Sequence, residues 1–326
     1  MFNDIKRATF RHKNNKMKYY VVNYIRQWLP GKVFIKSLPE KISRMNNADA
    51  EYIRGRVDYY NKLIDKQDIS SENFIDIKTL KQKAKRNVYY FDSYEYLRYF
   101  PENLKFVPLY GDIIHIPDTP SLTKSRPIAG NNENSVLFKM DKIRHFLFVK
   151  DKNKFEKKKN MLVGRSKANQ EQRIRFLTTY INHPLCNIGQ VNRDKNTQFI
   201  RPRMTIEEHL KYKFILCLEG NDVASNLKWV MSSNSIAVMP KPKYETWFME
   251  GTLIPNVHYI LIKDDFSDLE ERLNYYIEHT GEAKQIIENA HSYISQFFDK
   301  KREDLILLLV LEKYFEKTGQ SQTSPQ

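Results

Sequence analysis

Cysteine is nearly absent from this chain. Two residues, Cys186 and Cys217, among 326 cannot build a disulfide framework or a cysteine-based metal site; both read as reduced thiols, and Cys217 as a buried strand residue. Ten glycines and thirteen prolines are too few for a fibrous or low-complexity protein. Long apolar runs are missing too. The longest, residues 305–311, falls far short of the roughly 20 residues a membrane-spanning helix needs. The first thirty residues are basic and polar, so no secretory signal is expected. The eight histidines are scattered without the spacing of a zinc site. Asp264-Asp265 precedes a capped helix and reads as a charge at its amino end, so no metal is expected. No Gly-x-Ser-x-Gly nucleophile elbow occurs.

Acidic residues are outnumbered: 54 Lys+Arg against 39 Asp+Glu leave +15. That excess speaks of partners, namely nucleic acid, a phosphorylated substrate or an anionic membrane surface. Apolar residues at 41% and aromatics at 13% suffice for buried cores. The length suits two domains.

Residues 1–100 read as mostly helical, with segments at 16–29, ending at Pro30-Gly31, and at 48–64. Tyrosine pairs at Tyr19-Tyr20, Tyr59-Tyr60 and Tyr89-Tyr90 read as core packing with hydroxyls at the edge; the alternative is a platform for sugar rings. Residues 107–116 read as strand, loop, strand, stopped by Pro117-Asp118-Thr119-Pro120, and 121–134 as polar turns. Residues 150–175 hold ten Lys/Arg against three acids. This run reads as a solvated basic face, with contact to anionic lipid or a phosphorylated glycolipid next. Nucleic-acid binding is last, for want of a motif. The domain boundary is placed there: 1–155, then 156–317, then a disordered tail at 318–326.

Residues 182–205 read as loop. Strands follow at 213–218, 235–239 and 257–262, with helices at 225–232 and 244–250 between them. Strand starts fall about 22 residues apart, the rhythm of βαβ units and a parallel sheet. Ser267-Asp-Leu-Glu270 reads as a capping box opening a helix that stops at Gly281. Helices at 282–298 and 303–317 close the chain.

The segment Glu219-Gly220-Asn221-Asp222-Val223-Ala224-Ser225-Asn226 joins an apolar strand to a helix start. Gly220 permits close backbone approach, and free N–H groups at the helix start suit a phosphate. The segment is neither G-x-G-x-x-G nor a Walker A sequence, and a plain strand-to-helix turn accounts for it equally well. Lys228 lies one turn inside.

Residues 213–298 resemble the carboxyl half of glycosyltransferase family 90. The resemblance is carried by Lys213-Phe-Ile-Leu-Cys-Leu-Glu-Gly220, Ala224-Ser-Asn-Leu-Lys228, Ser233-Asn-Ser-Ile-Ala-Val238, Tyr244-Glu-Thr-Trp-Phe248, Val257-His-Tyr-Ile260 and Asp265-Phe-Ser-Asp-Leu269. It implies an α/β, GT-B-like fold: two Rossmann-like domains facing across a cleft, with extra helices at the amino end. It further implies an inverting transfer of a hexose from a UDP-sugar (UDP-glucose or UDP-galactose), with no metal or other cofactor, to the lipopolysaccharide or lipooligosaccharide core. Implied partners are the nucleotide sugar, that acceptor and the anionic cytoplasmic face of the inner membrane, with no nucleic acid.

The implied donor site comprises Glu219, Gly220, Asn221, Asp222, Ala224, Ser225, Asn226 and Lys228, with Arg165 near the diphosphate. Tyr244 and Glu245 line the cleft, and Trp247 is either lining or core. Two departures stand out. Asn226 occupies a position where the family commonly has arginine, and Gly164-Arg165 reverses the family's Arg-Gly. The implied base is Asp118, on an Asp-x-Pro step like the family's; turn capping is its other reading. His115 and Asp112 are lesser candidates. Two alternatives remain: a nucleic-acid-binding protein, and a non-catalytic sugar-nucleotide-binding homologue.

Overall fold

A computed structural model describes residues 12, 14–43, 49–67, 73–193 and 195–320. They form two compact units, each assembled from separate stretches of chain.

The first, helix-rich unit combines Asn15–Ile143 with Lys243–Met249 and Phe297–Gln326. Its helices are α1 (Lys16–Gln27), α2 (Gly31–Ser43), α3 (Ala50–Tyr60), α4 (Ile77–Lys83), α5 (Val88–Leu97) and the final helix α10 (Lys300–Lys317). Side-chain caps set four of their starts: Asn15, Asp76, Asn87 and Asp299 each accept from an amide of the first turn. Strands β1 (Ile75–Asp76), β2 (Lys105–Leu109), β3 (Ser121–Thr123) and β5 (Ser135–Leu137) form a small sheet in that order. Its β2–β3 and β3–β5 pairs are parallel. A two-stranded ribbon pairs β4 (Ser125–Pro127) with β10 (Tyr244–Thr246).

Three expectations change here. Residues 113–116 form no strand; Ile113 instead exchanges backbone bonds with the Ser125 hydroxyl. The polar segment 121–134 carries two buried strands and the approach to a third. Residues 244–246 are strand rather than helix, because the pairing to β4 sets Glu245 directly opposite Arg126.

Charge fills much of this core. Glu303 accepts from Arg56 at 2.8 Å, Lys139 at 2.9 Å and the Trp247 indole at 2.7 Å. Burial alone would raise its carboxyl pKa, but Lys139 and Arg56 outweigh that and lower it. Trp247 is fully buried and stacked on Tyr60 with ring centroids 3.7 Å apart, so it is core. The tyrosine pairs pack likewise: Tyr19 donates to Asp92 at 2.6 Å, and Tyr89 stacks on Tyr110. Of the expected disordered tail, Thr318 to Gln320 are ordered: Gln320 bonds the Lys105 backbone twice. Residues 321–326 lie outside the described residues.

The second, sheet unit is formed by Arg144–Pro242 and Glu250–Gln296. Its five strands are β6 (Lys159–Ser166), β7 (Cys186–Gln190), β8 (Tyr212–Leu216), β9 (Ile236–Met239) and β11 (Ile260–Leu261). They run parallel in the order β11-β9-β8-β6-β7. Helices α6 (Glu171–Tyr180), α7 (Leu227–Met231), α8 (Leu269–Glu278) and α9 (Thr280–Ser295) accompany them. All four residues of β9 are buried, as a parallel sheet covered on both faces requires. Leu162, Phe214, Val238 and Ile260 meet Phe176, Leu273 and Ile286 from the helices in one apolar cluster.

Strand β7 falls where loop was expected, because Asn187 and Gly189 interrupt its apolar pattern. Gly189 is required there: a Cβ would lie 2.3 Å from the Arg201 side chain. Ser267 does not cap α8; it bonds Asp265, and Asp268 occupies the cap position without a side-chain bond to the helix. Helix α8 ends at Glu278 rather than at Gly281, which lies in the first turn of α9.

Two outcomes test this packing. Glu303→Ala strands two buried cations and an indole donor, and unfolding by denaturant should show a loss of about 3–5 kcal/mol. Burial and Glu270 push the Cys186 thiol up to about 12, and burial pushes Cys217 well above its ordinary range. A folded-state pKa above the unfolded value of about 8.5 gives stability that is full below that pH and declines as pH rises toward 12. At pH 8, therefore, a thiol reagent should label neither cysteine until denaturant is added.

Candidate functional site

The strand order creates one special place in the sheet unit. From β6 the chain passes to β7 on one side; from β7 it returns to β8 on the other side of β6. The connections after β6 and β8 therefore leave in opposite directions, and open parallel sheets bind ligands at such a switch point, beyond the carboxyl ends of the strands. The segment 217–226 follows β8 at this position.

Side chains at the start of α6 fasten it. Arg173 donates to the carbonyls of Leu218 at 2.8 Å, Glu219 at 3.0 Å and Lys167 at 2.9 Å, tying the ends of β6 and β8 together. Gln172 donates to the Glu219 carbonyl and Gln170 to the Asn221 side chain. Burial lowers the Arg173 pKa, but a guanidinium remains charged throughout the working range. The sequence reading passed over Arg173, placing it within a solvated basic run. The signal was its position in the first turn after a strand that borders the switch point.

Gly220 also leaves room for the Arg173 guanidinium. Its φ is not positive, and a Cβ would meet the Arg173 Nη2 at 3.2 Å. Its N–H closes the loop onto the Asp222 carbonyl at 3.0 Å. Asp222, Val223 and Ala224 are buried, whereas Asn221 and Ser225 are exposed and Glu219, Gly220 and Asn226 half-exposed. Asn226 donates its side-chain amide to the Leu216 carbonyl at 2.9 Å, bracing the loop against β8. The helix beyond is short, Leu227–Met231, so the loop's own backbone matters more than a helix dipole.

The cations expected around the loop have partners inside the fold. Lys228 is fully buried, 2.5 Å from the Glu250 carboxylate, so its charge is offset there. Arg165 donates to the carbonyls of Pro202 and Asn187 at 2.9 and 2.7 Å and to the Asn187 side chain at 2.8 Å, on the β7 side of β6. The basic run 150–175 is not one solvated face: Lys158 is buried against Asp151, Ser235 and the Leu210 carbonyl, and Arg175 donates to the Asp264 carbonyl.

The other predicted residues belong to the helix-rich unit. Asp118 is exposed, in the link between β2 and β3, close to the amino end of β3 rather than at the carboxyl end of a strand. Its backbone carbonyl accepts from Asn134 at 2.9 Å, and no bond to its carboxylate is formed within the described residues. His115 is exposed, and Asp112 is paired with buried Lys124. Tyr244 is half-buried on β10. Glu245 is buried, accepting from Arg126 at 2.8 Å and from the Tyr59 hydroxyl. Thus Arg165, the 219–226 loop and Lys228 share one unit, and Asp118, Tyr244 and Glu245 share the other.

Comparison with known proteins adds to this geometry. The model for glycosyl transferase family 90 matches residues 138–317. The O-glucosyltransferase LpsA of Dichelobacter nodosus is 42% identical over 310 residues, covering 92% of this chain and 95% of that protein. Protein O-glucosyltransferase 3 of Homo sapiens is 29% identical over 111 residues, 34% of this chain and 22% of its own length. Protein O-glucosyltransferase 2 of Danio rerio is 25% identical over 139 residues, 40% of this chain and 28% of its own. With a family model matching more than half of its length and a relative similar along nearly all of it, the chain belongs to glycosyl transferase family 90 and is a glycosyltransferase.

Proposed function

We propose that the chain is an inverting hexosyltransferase of GT-B architecture, in which the sheet unit holds the donor and the helix-rich unit supplies the base and acceptor site. The donor is a UDP-hexose, UDP-glucose or UDP-galactose, used without a metal. The acceptor is the lipopolysaccharide or lipooligosaccharide core at the cytoplasmic face of the inner membrane. The observation that carries the reading is the loop after β8, at the switch point of the parallel sheet and pinned by Gln170, Gln172 and Arg173. The O-glucosyltransferase name of a relative similar along nearly all of this chain supports a hexose donor.

In this reading the diphosphate lies over Gly220, Asn221, Ser225 and Asn226, with Glu219, Asp222 and Ala224 setting the loop's path. Arg173 and Arg165 supply positive field from behind, and the Lys228–Glu250 pair fixes the short helix. Donors held in place favour the negative charge that grows on the leaving diphosphate. Asp118 takes the proton of the acceptor hydroxyl as its oxygen attacks the anomeric carbon. The bond from that carbon to the diphosphate breaks, and UDP leaves with the electron pair. Tyr244 meets the sugar, on a strand held in place by Glu245 and Arg126.

A thermal-shift panel of nucleotide sugars tests the donor. The true donor at 100 times its dissociation constant should add about 2.7 kcal/mol of stability, and silence from every nucleotide sugar would sink the proposal. Asp118→Asn changes an exposed side chain, so melting should be unaltered while turnover falls about 10²–10⁴-fold; full activity in that variant removes the base. Arg173→Ala leaves carbonyls without their donor, and should cost about 1–3 kcal/mol of stability together with most of the donor-induced shift.

A further inference from the structure

Helix α1 carries an apolar stripe that faces away from its unit. Met17, Val21, Ile25 and Trp28 recur at intervals of four, four and three residues, so they stack along one side of the helix. Met17 is 75% exposed and Trp28 85%. Leu29 and, at the start of α2, Val33 extend the exposed apolar surface. The opposite side is the packed one: Tyr19 bonds Asp92, Asn23 is buried, and Arg26 pairs with Glu95 at 2.7 Å. Six large apolar side chains in solvent along one helix and its neighbour exceed the scattered exposure normal for a folded chain.

Charge identifies what covers this surface. Between Asp4 and Glu40 the sequence contains no acidic residue and nine lysines and arginines. Lys16, Lys18, Lys32 and Lys36 are exposed on the same two helices. Three acids of the same unit have cationic or hydroxyl partners: Glu95 with Arg26 and Lys142, Asp92 with Tyr19 and Lys142, and Glu102 with Lys81; Glu40 stands one turn beyond Lys36, toward the far end of α2. No helix among the described residues is long and apolar enough to cross a membrane. An apolar stripe with a tryptophan, flanked by lysines, has the composition of a helix lying in the plane of an anionic lipid surface. Its lysine stems reach past the stripe to the headgroups.

We propose that α1 and the first two turns of α2 form an interfacial docking surface for an anionic phospholipid bilayer. Met17, Val21, Ile25, Trp28, Leu29 and Val33 enter the headgroup layer, and Lys16, Lys18, Lys32 and Lys36 contact lipid phosphates. This deepens the acceptor reading above, because a lipid-linked core is met at a membrane. It is tested without sugar transfer, so either can fail alone.

The chain provides its own probe, since Trp28 is exposed while the other two tryptophans, Trp229 and Trp247, are buried. The full chain should sediment with vesicles of equal parts phosphatidylglycerol and phosphatidylcholine, and its tryptophan emission should shift to the blue. Phosphatidylcholine vesicles alone should retain much less, and added salt should release the protein. The double substitution Val21→Glu with Ile25→Glu should lower partitioning more than tenfold with melting unchanged, as both positions are solvent-exposed. Removal of each lysine, as in Lys18→Ala, should weaken partitioning about fivefold. The proposal is overturned by failure to bind anionic vesicles or by undiminished binding of the double variant. It is equally overturned if Trp28 is shielded from a soluble quencher without lipid, because a second copy or another segment of this chain then covers the stripe.

Discussion

Charge buried in this protein is compensated where it lies, and that constraint organises both units. Arg126 with Glu245, Arg56 and Lys139 with Glu303, Lys158 with Asp151, and Lys228 with Glu250 all sit at or near zero exposure on at least one partner. Removing a charge from water costs several kcal/mol, recovered only when a partner and further hydrogen bonds are already in place. Glu303 has three donors from three separate stretches of chain. Such a centre cannot form until the helices at both ends of the sequence and the 243–249 segment have met. The unit is therefore held by pairings between residues far apart in the chain more than by any local preference.

The same constraint shapes the candidate site. Arg173 could have been a cation open to a ligand. It is instead divided among three carbonyls, which turns its charge into geometry: the ends of β6 and β8 are fixed relative to each other. Gly220 fits this arrangement because it leaves room for the guanidinium. Asn226, where the family commonly carries arginine, braces the loop through its bond to Leu216. Less positive charge then stands at the loop's surface, and in the proposed donor site the diphosphate is left chiefly to backbone amides placed by the clamp.

How far the sequence could be read depended on whether burial followed hydrophobicity. The parallel strands at 212–216 and 236–239 were legible, because apolar runs at βαβ spacing leave few alternatives. So were the long helices near both ends. Strand β7 was hidden by Asn187 and Gly189, whose places are set by Arg165 and Arg201 and not by an apolar pattern. Strands β3, β4 and β5 were hidden by Ser121, Lys124, Arg126 and Ser135, polar residues buried through pairing. A helix was expected at 244–250 since nothing local reveals that Glu245 will lie opposite Arg126. In the candidate site the loop was legible and its clamp was not. Arg173 looks like any lysine or arginine of a basic run until the fold brings Leu218 and Glu219 against it.

Surplus charge must then be counted by what the fold leaves over. The densest basic stretch, 150–175, contributes less to the outside than its composition suggests, because Lys158, Arg165, Arg173 and Arg175 are bonded within the sheet unit. The amino-terminal helices differ. Between Asp4 and Glu40 their stretch of sequence holds no acid, and they set lysines beside apolar side chains that the unit does not cover. Electrostatic attraction alone would hold a protein to an anionic surface loosely and would fade with salt. Apolar insertion alone would not distinguish one lipid from another. Together on one helix pair, they let charge select the surface and apolar area retain it.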